Sequence, residues 1–533
     1  MNVTPSAPLI ALLLFSLFGA VSCPGEANSL APSPDLWALA RESSQCHRFS
    51  TLFTSHDVRQ YLSTEEGIEA AISWCKQTGI TKVYVEEFRD GYQAERATLE
   101  SARDKFRAAG FIVSGCVTTT RVGKASTGWK EVACCYTDKP TQDKLQEVFE
   151  YAARLFDEIM IDDFWFTDCT CTDCDAARRS KKVTIGEHSY PVAGDAWEDY
   201  RCELMVRLSQ ERVLGAAKRV NPKVQLIIKY PQWYDNFHMR GYEVVRETAD
   251  FDRIWVGTET RDYGNKQWGG TPQYEGYFIM RWLGRIGGLK CGGGWYDPYG
   301  TTEQTYLEQA RQTILAGAHE SMLFEYSSLL RDTGPKNIQA LRAALPELLS
   351  VAKEVRSRQI VGLAAYKPPN SHPGKEPRVF DFVGMLGFPL VPCHEFPTNA
   401  AAAFFSIHAL KDPTLVPKLA EFVRAKKPIV LTDSLAQALT NQLPLGGPNV
   451  RVLPVNGDPK SLLALEEKLV DDLRRSVLGP FKTSFHAPSR VSIYLFQDNS
   501  WVIENFNDYP IEANLNGKQI KVASRGWQCE WKM

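Results

Sequence analysis

A chain of 533 residues is several times the size of one ordinary domain, which excludes a single small binding module and favours two or three packed units. Apolar residues make up 44% and charged residues 23%, enough for large cores and too little polarity for a disordered chain. Lys and Arg number 61 against 63 Asp and Glu, so the basic surplus that nucleic-acid binding requires is missing, and DNA and RNA are set aside as partners.

The chain opens with residues 1–23, read as a signal peptide. Pro8 to Ala20 is an apolar run too short to span a bilayer and suited to a secretory h-region. It ends in Ala20-Val21-Ser22-Cys23, small residues before a cysteine, so a lipid on Cys23 is an alternative to ordinary cleavage and would anchor the protein to a membrane. The expectation is an exported protein, periplasmic, cell-surface or extracellular, with residues 24–45 as a linker. Export permits disulfides. The densest cysteine cluster is Cys169-Thr-Cys171-Thr-Asp-Cys174, with Cys134-Cys135 before it. It is read as disulfides or thiols pinning two loops in preference to a metal site, because only Cys171 and Cys174 form a clean CxxC pair. No metal and no cofactor is expected.

Across residues 46–335 a short β-rich apolar run, a polar and aromatic loop and a helical stretch recur. The runs are Arg48 to Phe53, Lys82 to Phe88, Phe111 to Val117, Glu158 to Phe166, Val224 to Tyr230, Arg253 to Thr258, Gly288 to Gly292 and Met322 to Tyr326. Amphipathic stretches such as Glu65 to Thr78, Ala94 to Ala109, Thr141 to Phe156, Trp197 to Val220 and Thr302 to Ala316 lie between them. Eight such units predict an α/β fold, a (β/α)8 TIM barrel. An open doubly wound sheet would often carry a glycine-rich phosphate turn after its first strand, and this chain does not.

Residues 336–480 hold a helical link, Asn337 to Arg358, and then a second α/β pattern: Val379 to Val383, Ala403 to His408, a helix from Leu415 to Lys426, Pro428 to Thr432 and Val450 to Val455. This predicts a smaller, flavodoxin-like α/β domain. In residues 481–533, Val491 to Phe496 and Trp501 to Asn505 alternate apolar and polar residues, with turns at Asp498-Asn499 and Asn516-Gly517. They predict a small C-terminal antiparallel β domain.

In such a barrel the active site lies at the C-terminal ends of the strands. Here those ends are rich in acids: Glu86-Glu87 on strand two, Asp162-Asp163 on strand four, Glu259 on strand six and Glu325 on strand eight. An ion-pair network through Arg89, Lys229 and Arg261 accounts for some of them but has too few cations for all. The same loops carry Trp129, Trp165, Trp233, Trp268 and Trp295. Sugars present flat C–H faces to aromatic rings and hydroxyls to carboxylates and Arg. Paired carboxylates with aromatic platforms are the apparatus of glycoside hydrolysis.

Asp163, one residue nearer the open end, is taken as nucleophile or principal carboxylate, Glu259 as general acid/base and Asp162 as its neighbour's orienting group. Strand alternation leaves open which of the two aspartates faces inward. Glu87, Trp165, Lys229, Trp233, Arg261, Trp295, Asp297 and Glu325 are the expected substrate-binding residues, with Glu87 and Glu325 as substitutes for the catalytic pair. Gly292-Gly293-Gly294 before Trp295 would let the backbone approach a ligand. The expected partner is a carbohydrate substrate. The competing reading is a non-catalytic carbohydrate-binding or surface scaffold protein on a degenerate barrel.

The set Asp162-Asp163-Phe164-Trp165-Phe166-Thr167-Asp168-Cys169, Ile228-Lys229-Tyr230-Pro231-Gln232-Trp233-Tyr234, Gly257-Thr258-Glu259-Thr260-Arg261-Asp262 and Gly292-Gly293-Gly294-Trp295 resembles a group of secreted bacterial and fungal glycosidase-like barrel proteins. The resemblance covers residues 46–330 and implies a fold and a class. The domain order, with Phe380-Asp381-Phe382-Val383-Gly384-Met385-Leu386-Gly387-Phe388-Pro389 in the middle domain, is similar to glycoside hydrolase family 42 β-galactosidases. That similarity implies an amidotransferase-like middle domain and association through it into a homo-oligomer. The family's glutamates lie at the ends of strands four and seven, whereas here strand four carries Asp162-Asp163 and strand seven ends without a glutamate. An aspartate on strand four with an acid on strand six is closer to the α-galactosidase-like clan.

Overall fold

The computed structural model describes residues 35–261 and 271–532. The signal-peptide and lipid-anchor expectations, with most of the linker, fall on residues 1–34, and Trp268 falls on 262–270, outside the described residues.

Eight strands form the barrel: β1 Arg48–Phe53, β2 Ile80–Arg89, β3 Ile112–Val117, β4 Glu158–Ile161, β5 Gln225–Tyr230, β6 Arg253–Gly257, β7 Cys291–Tyr296 and β8 Glu320–Leu323. Successive strands pair in parallel, and β1 pairs with both β2 and β8, which closes the sheet. Runs such as Leu226-Ile227-Ile228 are apolar on consecutive residues because both faces of the sheet are covered. One side chain from each strand fills the interior: Leu52, Tyr84, Cys116, Met160, Ile227, Trp255, Trp295 and Met322.

The glycines of β7 answer to this packing. A Cβ on Gly292 would stand 2.1 Å from the Trp255 ring, one on Gly293 2.6 Å from its Nε1, and one on Gly294 2.5 Å from Thr313. They make room for an indole and a helix, which corrects the expectation that they admit a ligand.

The eight outer helices are α1 Glu65–Gln77, α2 Arg96–Ala108, α3 Lys139–Ala153, α4 Trp197–Val220 (with a π-turn at Ser209–Leu214), α5 Val244–Asp250, α6 Glu275–Gly287, α7 Glu303–Leu315 and α8 Gly334–Arg356. Their starts are marked by side-chain caps where the sequence supplies them. Asp138 accepts from Thr141 N ahead of α3, Thr302 from Thr305 N ahead of α7, and Thr64 from Gly67 N ahead of α1. The stretch expected as a helical link is α8, packed on α7 as part of the barrel.

The middle domain is a parallel sheet of β9 Leu363–Tyr366, β10 Leu390–Cys393, β11 Ala403–Phe405, β12 Ile429–Thr432 and β13 Val450–Leu453, in the order β10-β9-β11-β12-β13. Val379 to Val383, expected as a strand, is a helix, Val379–Gly384, with every residue buried. The C-terminal domain is antiparallel, with β14 Val491–Phe496, β15 Trp501–Asn505, β16 Ile511–Leu515, β17 Lys518–Val522 and β18 Trp527–Glu530 in two small sheets. Asn516 and Gly517 both take positive φ, 54° and 85°, as a tight hairpin turn requires.

The middle domain grips the barrel through polar contacts on α6 and the loop after β5. Trp282 Nε1 donates to the Lys367 carbonyl at 2.8 Å, Tyr277 to the Leu390 carbonyl at 3.0 Å, and Arg378 pairs with Glu275. His408 Nε2 sits 2.8 Å from Asp235, whose other oxygen accepts Arg378 N.

Candidate active site

A cleft of about 510 Å³ opens at the C-terminal mouth of the barrel. Asp162, Asp163, Lys229, Glu259, Arg261 and Asp297 form its floor, all placed at or just past the ends of β4 to β7. A larger cleft of about 880 Å³ lies at the opposite mouth, around Lys82, Glu158 and Glu320. Lys82 bridges both acids there, at 2.7 and 3.5 Å. The chemistry expected of a barrel belongs to the first cleft.

Three cations organise the floor. Arg89, at the end of β2, donates twice to Glu86 (2.8 and 3.0 Å) and once to Asp162 (2.6 Å). Glu86 also accepts Ser55 N at 2.8 Å, and the Thr118 hydroxyl lies 2.9 Å from Asp162. Lys229 Nζ lies 2.8 Å from Asp163 and 2.6 Å from Glu259, beneath the Trp295 ring at 4.1 Å from its centroid. Arg261 clamps Asp297 at 2.6 and 3.2 Å. Among the described residues five acids thus face three cations, fewer positive charges than acids if every one of these acids ionises.

The protonation states follow from that count. Burial raises the Asp162 carboxyl, but Arg89 and Lys229 with the Asp163 N–H (2.6 Å) overcome it and hold it at about 2. Asp163 is pushed well above the carboxylate range, first by burial and then by the charges of Asp162 and Glu259, against the pull of Lys229. Its side chain still keeps 19% of its surface open to the cleft. Glu259 is raised by burial and by Asp297, with Lys229 and Arg261 opposing. Burial would discharge Lys229, yet Asp163, Glu259 and Asp162 keep its ammonium charged and raise it. Asp162 is therefore favoured as an anion, while burial favours the protonated forms of Asp163 and Glu259. Glu259 Oε2 is buried and has no hydrogen-bond partner among the described residues.

Strand pairing ends at Ile161, so Asp162 and Asp163 escape the alternation of β4 and both reach the cleft. Asp162 N donates to the Val117 carbonyl at 3.0 Å, and Tyr242 donates to the Asp163 carbonyl at 2.6 Å. Trp233 and Trp295 line the cleft as expected, as do Lys229, Arg261 and Asp297.

Three expected residues do not. Trp165 is fully buried in the hydrophobic core, with Nε1 donating to Ser209 at 3.0 Å in the π-turn of α4. Glu87 is fully buried outside the cleft and feels Lys144 of α3; a shift in register between Glu86 and Phe88 accompanies this placement. Glu325 is set back from the cleft, accepting from Ser328 at 2.7 Å and Ser327 at 3.1 Å.

Sequence reasoning missed Phe164, Phe166, Gln232, Tyr299 and Phe324 in the lining and left Trp129 unassigned. Phe164 is half-buried and Phe166 buried, and both border the cleft from the loop after β4. Trp129, 48% exposed, stands at the edge beside Phe166, with Arg240 5.0 Å from the Phe166 ring and 5.1 Å from that of Trp233. These rings form an aromatic wall along the cleft, and Arg240 stands over two of them.

Behind it lies the cysteine cluster. The Cys135, Cys171 and Cys174 sulphurs stand 3.6 to 3.7 Å from one another, and Cys169 joins them within 4.8 Å. Bonded sulphurs lie about 2.05 Å apart, so the expected disulfides are not formed. A tetrahedral ion with metal–sulphur bonds of about 2.3 Å has sulphur edges of about 3.8 Å. These four thiols are therefore spaced to hold one structural ion, the reading that the sequence placed second to loop-pinning.

A family model described as the catalytic domain of a probable glycosyl hydrolase matches residues 35–343. An uncharacterized protein of Saccharolobus solfataricus is 26% identical over 357 residues, which cover 61% of this chain and 57% of that protein; the chain thus spans little more than half the length of the curated relative it matches. Among solved structures, the α-L-fucosidase isoenzyme 2 of Paenibacillus thiaminolyticus aligns with a TM-score of 0.62 and 11% identity, over 90% of this chain and 91% of that one. A cold-adapted β-galactosidase from Rahnella sp. R3 aligns at 0.59 with 9% identity, over 91% and 98%. Both likenesses are of fold.

Proposed function

Because the chain belongs to the family of probable glycosyl hydrolases, we propose that its barrel cleaves O-glycosidic bonds of oligo- or polysaccharides with retention at the anomeric carbon. The observation that carries this reading is the placing of Asp163 and Glu259 on one ammonium. The two oxygens that meet Lys229 can be separated by no more than the two contacts combined, about 5.4 Å, a ceiling that favours a short spacing of the carboxyls. Retaining enzymes hold their carboxyls about 5 to 5.5 Å apart, and inverting enzymes about 6.5 to 9.5 Å to admit a water.

In the first step an Asp163 oxygen attacks the anomeric carbon and forms an ester. The bond to the leaving oxygen breaks, and that oxygen takes the proton from Glu259. Water then gives a proton to the Glu259 carboxylate as its oxygen attacks the same carbon, and Asp163 departs as an anion. Lys229 opposes the burial that raises Asp163 and favours its anion when the proton sits on Glu259, whose Oε2 has no partner among the described residues. Asp162, fixed by Arg89, orients Asp163 through its backbone N–H. A floor short of positive charge favours the oxocarbenium character of the transition state. Stacked rings above it exclude water and grip the sugar faces. The apolar run Pro8 to Ala20 supports export of this activity.

The test is turnover of a panel of nitrophenyl glycosides and natural polysaccharides, with Asp163→Asn and Glu259→Gln beside the wild type. Turnover lost by about 10³-fold or more in the first and about 10² to 10⁴-fold in the second is expected. Turnover surviving in both variants would remove this pair, and sugar binding without turnover would favour the scaffold reading.

A further inference from the structure

The seam between the barrel and the middle domain holds a second group of ligand-type side chains. Glu198 stands at the start of α4, His238 in a turn after β5, and His372 in the middle-domain loop that follows β9. The His372 Nε2 atom lies 3.4 Å from His238 Nε2 and 3.1 Å from a Glu198 oxygen. All three ligand atoms fall within 4.8 Å of one another.

Nitrogen and oxygen ligands at about 2.0 to 2.2 Å from a tetrahedral ion stand about 3.3 to 3.6 Å apart. The two edges that meet at His372 Nε2 are close to that spacing. The rings cross at 77°, with centroids 4.4 Å apart, and His238 Nε2 also lies 3.3 Å from His372 Nδ1.

From this arrangement we propose that Glu198, His238 and His372 bind a divalent first-row transition ion of the zinc class, tying the barrel to the middle domain. Two imidazoles and one carboxylate are the ligand set such an ion accepts. His238 is buried and brings its Nε2 to the inner side of the group. His372 and Glu198 are open to solvent at 52% and 35% of their side-chain surface, which gives an ion a route in and leaves a fourth position for water. The His372 loop is already fixed on the barrel, because Asn370 Nδ2 donates to Glu243 at 2.8 Å. The loop carrying His238 also carries Gln232 and Trp233 of the cleft, so an ion here stiffens one wall of that cleft from behind.

The experiment compares the untagged full chain with His372→Ala, an exposed change that leaves the core intact. Equilibrium dialysis against Zn²⁺ with metal analysis gives the stoichiometry, and thermal unfolding with and without Zn²⁺ gives the linkage. The wild type should bind one more Zn²⁺ per chain than His372→Ala, and Zn²⁺ should raise its midpoint by about 2 °C or more beyond any rise in the variant. Co²⁺ absorption separates this site from the thiols, since only thiolate coordination gives an intense sulphur-to-metal band. His372→Ala should lose weak Co²⁺ absorption and keep that band. Equal stoichiometry and equal thermal response in the two proteins would overturn the proposal.

Discussion

Lys229 and Glu259 meet at 2.6 Å inside the mouth of the barrel, and the same ammonium reaches Asp163 at 2.8 Å. One cation from β5 therefore sets both the separation of the two carboxyls and the ease with which each ionises. Removing it should be felt in the pH dependence as much as in the rate.

Lys229→Met leaves Asp163 and Glu259 facing each other without their shared charge. Their folded-state carboxyls, already above the usual range, rise further, so the pH–rate profile should move to higher pH while kcat falls. Stability should drop by about 3 kcal/mol at pH 7, because buried acids lose their partner. Raised carboxyls stabilise the fold below the unfolded value of about 4 and lose that benefit as pH rises. The loss should therefore shrink toward pH 5. Denaturant melts at the two pH values test this, and an equal loss at both would contradict it.

Glu504 gives a separate pH signature. Burial pushes it up to about 8, with Glu308 adding and Arg311 opposing, at the seam where Gln312 of α7 and Tyr494 of β14 also contact it. Its neutral form is the one the fold accommodates. The stabilisation is complete below the unfolded value of about 4.3 and disappears as pH rises through about 8. Unfolding midpoints should decline over that window, and Glu504→Gln should flatten the decline. An unchanged slope in the variant would show that the group ionises freely in the fold.

The barrel was legible because eight apolar β-rich runs stand between amphipathic helices, and each observed strand overlaps its run. The middle domain was less so. Val379 to Val383 is short and apolar except for Asp381, which fits a buried helix turn as well as a buried strand, and periodicity cannot separate the two over five residues. At the site, residue type at the strand ends pointed to Asp163, Lys229, Glu259, Arg261 and Asp297. Trp165 and Glu87 were misplaced because inward and outward faces depend on where pairing stops and where register shifts, at Ile161 and between Glu86 and Phe88. Neither event leaves a mark on the sequence. The four thiols come together from loops about 35 residues apart, so only Cys171 and Cys174 announced themselves as a pair.

The thiol cluster carries its own prediction. If the four sulphurs hold an ion, a strong chelator should lower the unfolding midpoint of the wild type and should have a smaller effect on Cys171→Ser, which has lost one ligand. A midpoint indifferent to chelation in both proteins would leave the cluster as packed thiols.

Trp129 tests the aromatic wall. Trp129→Ala should leave turnover of a nitrophenyl monosaccharide nearly unchanged and lower kcat/KM for a longer oligosaccharide about five-fold, the loss of about 1 kcal/mol of stacking. Equal effects on short and long substrates would place the ring outside the sugar path.

The most direct test of the central claim is covalent. A panel of activated 2-deoxy-2-fluoro glycosides is incubated with the enzyme, and the labelled peptide is mapped by mass spectrometry. A retaining pathway through Asp163 predicts a mass increase of one fluoroglycosyl group, carried by Asp163 and absent in Asp163→Asn. A label on another carboxyl, or turnover with inverted product and no label, would contradict it.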